Sequence, residues 1–71
     1  MVDFFVRIVK MEGATVSTVF QTTQVAANGL RDAQFKANDI ADAAPGWLGG
    51  NVIDIMQGDK ILCHRLLGGT W

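Results

Sequence analysis

Seventy-one residues with one cysteine, one histidine and a formal net charge of −1 set narrow bounds. A chain this short makes one domain, residues 1–71, and buries only about 60% of its unfolded surface. Cys63 alone excludes an internal disulfide, and Cys63 with His64 falls short of a four-ligand zinc site, so no metal and no cofactor are expected.

Packing or self-association must then supply stability, and a hydrophobic fraction of 49% is more than a lone chain of this size hides easily. Six basic against seven acidic residues give no basic stripe for nucleic acid. No apolar run reaches membrane-span length. The start Met1-Val2-Asp3-Phe4-Phe5 lacks the basic region of a signal peptide, which makes the cytoplasm the expected compartment.

Val2 to Met11, rich in Val, Ile and Phe, predicts a strand. Glu12-Gly13 reads as a two-residue hairpin loop, and Ala14 to about Val25 as the returning strand, dense in Thr and Val. That loop pairs Val9 with Val16, Val6 with Val19 and Phe5 with Phe20. One face then carries Phe4, Val6, Ile8 and Val19, the other Phe5, Val9, Met11, Val16 and Phe20. Val16, Val19, Phe20, Thr23 and Ala27 also fit a backward extension of the following helix, so βαββ stands as an alternative to ββαββ.

Asn28 is a natural N-cap. Leu30, Ala33, Ala37, Ile40, Ala41 and Ala44 recur at helical spacing and form one apolar stripe, and Pro45 closes the helix. Trp47 and Leu48 are expected to plug the end of the core. Asn51 to Gln57 and Lys60 to Leu67 predict a second hairpin about Gly58-Asp59. Its pairs are Ile55 with Leu62, Asp54 with Cys63 and Ile53 with His64. Ile53, Ile55, Leu62 and Leu66 share one face; Val52, Met56, Ile61 and Leu67 share the other. Residues 68–71 are read as a flexible tail.

The predicted fold is α+β: two hairpins in an antiparallel sheet with one helix on one face, which face being left open. Both faces are apolar and one helix covers only one. The second face, with Phe5, Val9, Val16, Phe20, Val52, Met56 and Ile61, is therefore assigned to a homo-oligomer contact. A slip of one residue in either hairpin would exchange these faces.

Neighbours on a strand point to opposite sides, so Cys63 and His64 do not form a nucleophile–base pair, and no catalytic residue is assigned. Gly46-Trp47-Leu48-Gly49-Gly50 leads into a strand and lacks a lysine, unlike a phosphate loop. Asp32, Asp39 and Asp42 fit a solvated helix face. Phe35 lies about opposite the apolar stripe, ringed by Asn28, Arg31, Asp39 and Asp42, as an interface anchor would be, and Phe35, Arg31, Asp32, Asp39 and Asp42 are assigned to a partner contact. The other reading is an aromatic covered by a loop or by Trp71.

The stretch Val25-Ala26-Ala27-Asn28-Gly29-Leu30-Arg31-Asp32-Ala33-Gln34-Phe35-Lys36-Ala37, inside a β-β-α-β-β order, resembles small bacteriophage and mobile-element accessory proteins, some anti-CRISPR proteins among them. The resemblance implies a non-catalytic protein-binding module, a stoichiometric inhibitor or modulator of a host complex, acting in host cytoplasm. The alternative is a small nucleic-acid-binding domain that uses Arg7, Lys10, Arg31, Lys36, Lys60 and Arg65 around its sheet.

Overall fold

A computed structural model describes residues 1–71 as β1 (Val2–Glu12), β2 (Thr15–Ala27), α1 (Leu30–Ala43), a tight turn (Pro45–Gly49), β3 (Val52–Gln57) and β4 (Lys60–Leu66). The strands form one antiparallel sheet in the order β2-β1-β3-β4. This is the expected ββαββ arrangement. Residues 15–27 are strand throughout, so the βαββ alternative falls.

The helix lies on the face that carries Phe4, Val6, Ile8, Ile53 and Ile55. Ala33, Ala37 and Ala41 form its buried stripe, and methyl-sized side chains let its backbone approach the sheet closely. Ile40, Ala44 and Leu48 pack at the margin of this core. Asn28 is not the cap: Gly29 occupies that position, and no side chain bonds there. Instead Asp32, in the first turn, reaches back and accepts the Asn28 N–H at 3.0 Å. Ala44 turns to extended geometry ahead of Pro45, and the helix ends there as expected.

The hairpin registers differ from expectation for a definite reason. The first loop is Gly13-Ala14, not Glu12-Gly13, so Glu12 pairs with Thr15 and Met11 with Val16. Two bulges then insert Ser17 and Phe20 into β2, shifting the pairs to Val9 with Val19 and Phe5 with Gln24. The second loop is Gly58-Asp59, and Gln57–Lys60 and Met56–Ile61 pair in the expected register. A bulge at Leu62 then moves the rest by one, to Ile55–Cys63, Asp54–His64 and Val52–Leu66. That one residue exchanges the two leucines: Leu67 enters the core, while Leu66 stands 67% exposed on the other side.

The connector between helix and sheet runs through Gly46, Trp47 and Leu48, all in left-handed geometry (φ 55°, 49° and 59°). For Trp47 and Leu48 that conformation costs about 1–2 kcal/mol per residue. Leu48 meets the core as expected, whereas Trp47 is exposed and lies against Gly68 instead of plugging the core. Gly50 then passes so close to β1 that a Cβ would fall 2.7 Å from Ile8 Cγ2 and 2.9 Å from the Val9 carbonyl oxygen. Only glycine fits there. No helix is long and apolar enough to cross a membrane.

Candidate functional site

Two surfaces combine exposed apolar groups with organised polar ones. The first is the outer face of α1. Because its inner stripe is buried, the helix turns Phe35 outward, 65% exposed. Arg31 precedes it by one turn, and Asp39 and Asp42 follow by one and two, all exposed. These three stand where the helical period places them. Asp32 is committed to its own helix: it holds the Asn28 N–H and lies 3.4 Å from Lys36 Nζ. The backbone bond, then Lys36, hold its carboxyl below the ordinary carboxylate range. Lys36 also donates to the Ala26 carbonyl.

Trp71 lies beside Phe35 and does not cover it. The indole N–H donates to Asn38 Oδ1 at 3.0 Å, and Arg65 donates to the same oxygen at 2.7 Å. The Arg65 guanidinium also stacks 5.0 Å from the centre of the Trp71 ring, a cation–π arrangement. The segment expected to be a flexible tail therefore ends on a side chain with a defined seat. Arg31, Gln34, Phe35, Asn38 and Trp71 line a shallow groove of about 230 Å³. From sequence, Trp71 enters this surface only as a cover for Phe35, and Gln34, Asn38 and Arg65 do not enter it. Helical spacing from Phe35 to Asn38 is legible; the meeting of Asn38, Arg65 and Trp71 is not.

The second surface lies across the sheet from the helix. The bulged β1–β2 hairpin bends over it, and Asn51 ties the bend by bonding both Met11 N and Met11 O, at 2.9 and 3.1 Å. Met11, Gly13 and Ala14 thus share a cleft of about 430 Å³ with Asp54, Ile61 and His64. At its floor Arg7 donates to Asp54 through Nε at 2.9 Å and Nη2 at 2.6 Å. The Asp54 side chain is only 2% exposed, and it holds the Arg7 guanidinium more basic than usual, mainly through that hydrogen bond.

The residues assigned to an oligomer contact divide on this face. Val9 and Val52 are buried inside the protomer. Phe20 sits in a bulge with its ring beside Gly49, toward the connector. Phe5, Val16 and Met56 are half-buried, and Ile61 is exposed. The continuous apolar face expected from the simpler registers is therefore broken into a cleft with apolar walls.

Cys63 and His64 lie on opposite faces. Cys63 packs toward the helix and accepts a weak bond from Gln34 at 3.6 Å, while His64 is exposed opposite Asp54. No three His, Cys, Asp or Glu side chains are grouped as metal ligands would be. No family model, no curated protein and no solved structure matches the chain, so the helix face and the cleft are what there is to read its function from.

Proposed function

We propose that the protein is a non-catalytic binding module that docks the outer face of α1 onto another protein. In the form implied by its resemblance to small phage proteins, it is a stoichiometric inhibitor or modulator of a larger host complex. The observation that carries this reading is Phe35: a large aromatic left out of the core by a helix whose buried stripe is alanine. Interface anchors are typically aromatic or arginine side chains beside groups that exclude water. Arg31 and the pinned Trp71 flank Phe35 in that manner.

Charge favours a protein partner over nucleic acid. Of the six cations considered for a phosphate backbone, Arg7 is bound to Asp54, Lys36 lies beside Asp32, and Arg65 is held by Asn38 and Trp71. Asp39 and Asp42 extend the Phe35 face with negative charge, which suits a basic protein surface and repels phosphate.

The test compares wild-type and Phe35→Ala protein as bait in lysate of the native host, with quantitative mass spectrometry and a parallel thermal melt. The expected result is an unchanged melting temperature and loss of the captured protein by about tenfold or more, since an anchor aromatic contributes about 2 kcal/mol or more. Equal capture by both baits, or unfolding of the variant, refutes the role given to Phe35.

A further inference from the structure

The fold leaves half of one edge of its sheet without the defences that such edges usually carry. An edge strand offers a row of free backbone N–H and C=O groups, and proteins blunt it with charge, proline, shortness, bulges or cover. β4 is defended: it is seven residues long and carries Lys60, His64 and Arg65. Pairing it with a second β4 would place basic groups against one another, which is unfavourable. β2 is the opposite case. It is 13 residues long, and from Gly13 through Leu30 the chain carries no charged residue and no proline. Its bulges at Ser17 and Phe20 distort only the half nearer the loop. From Gln21 to Ala27 it pairs with β1 without interruption.

We infer that this straight half of β2 is a self-pairing seam, at which two copies of the chain join antiparallel to make one continuous eight-stranded sheet. A second copy is the occupant the strand favours over other partners. An antiparallel pair of identical strands has two-fold symmetry, so the contact closes after one addition. The side chains at the seam are Thr22, Thr23 and Gln24, short or amide groups that hydrogen-bond to their own kind and carry no charge to oppose it. Lys36 limits the seam at its far end by donating to the Ala26 carbonyl, which confines pairing to about residues 21–25. The axis runs perpendicular to the sheet, so both helices lie on one side of the dimer and both clefts on the other. This contact differs from the sheet-face contact expected from sequence, and it does not depend on the role of Phe35.

Two experiments on the full chain decide it. Sedimentation equilibrium from micromolar to millimolar concentration is expected to give twice the 7.7 kDa chain mass. Thr22→Lys with Gln24→Lys is expected to weaken that association at least tenfold, while Ile61→Lys on β4, at the opposite edge of the sheet, leaves it unchanged. Single cysteines placed in turn at positions 18–26 in a Cys63→Ser background are then oxidised. Inter-chain disulfide yield is expected to reach a single maximum between residues 21 and 25 and to fall on both sides. A mass of 7.7 kDa throughout, a dimer insensitive to the lysine pair, or a cross-linking profile without a maximum overturns the inference.

Discussion

Arg7 and Asp54 show how much one pair of side chains decides here. Each interrupts an apolar strand, and cross-strand register sets them directly opposite one another on β1 and β3. The bidentate geometry satisfies both carboxylate oxygens, and no buried side-chain polar atom in the protein lacks a partner. The two positions are not equivalent. Arg7, at 17% side-chain exposure, still reaches water, whereas Asp54 does not. Arg7→Met is therefore expected to cost about 3–5 kcal/mol, because it strands a buried carboxylate. Asp54→Leu is expected to cost less. The double variant Arg7→Met/Asp54→Leu is expected to be more stable than Arg7→Met alone, since burying neither charge avoids both desolvation penalties. Urea titration of the four proteins checks the cycle. A double variant as unstable as the sum of the singles would mean that the two charges act independently. From sequence, Arg7 counted only as a surface cation and Asp54 as the neighbour of Cys63. Their meeting depends on the pairing of β1 with β3, which is not local in the chain.

At the scale of elements, the helix was readable and the registers were not. Alanine and isoleucine recur with a period that only a helix satisfies, and the outward position of Phe35 follows from that period alone. Strand pairing has no such redundancy. A single inserted residue changes every later pair, and nothing in Ser17, Phe20 or Leu62 marks it as the inserted one. The start of the helix was legible only in part: Gly29, not Asn28, is the cap and has no side-chain bond, and the polar contact nearby is Asp32 accepting the Asn28 N–H. This has a pH consequence. Folding lowers the pKa of Asp32, so the folded state favours its ionised form. The contribution is complete above the ordinary value of 3.8 and is lost as the pH falls through the lower folded value. Protection of the Asn28 amide against exchange, taken relative to its intrinsic rate at each pH, is expected to fall over that acid range. In Asp32→Asn the same amide is expected to show no such step in protection.

At the scale of the molecule, size and architecture interact. Thirteen of 71 residues are buried, so the core is small and the stability margin thin, as expected for a two-layer domain of this length. Trp71 extends that core by closing over β4, pinned through Asn38 and Arg65. If two chains join along β2, their Phe35 faces lie on the same side of the joined sheet. A dimeric binder then engages a repeated or symmetric partner with an effective concentration that a single copy lacks. The alternation of apolar residues in both hairpins did announce that the sheet has more apolar surface than one helix covers. What it could not announce was that the tip of the first hairpin would share a cleft on that face with Asp54, Ile61 and His64.

The bulges also fix where the chain tolerates losing a residue. Deleting one residue inside a regular strand turns every later side chain to the wrong face, and such a deletion normally abolishes folding. Ser17 is already surplus to the pairing, opposite no residue of its own on β1, and its side chain is exposed, with one bond to the Lys10 carbonyl. Removing it should restore regular pairing and leave Phe20 to Ala27 in place. Deleting Thr23, by contrast, should drive Val25 and Ala27 out of the core. The Ser17 deletion is expected to fold with a melting temperature near that of the parent, while the Thr23 deletion is recovered unfolded. Circular dichroism melts of the two shortened chains separate these outcomes, and equal damage from both would show that the bulge holds a residue the hairpin cannot spare.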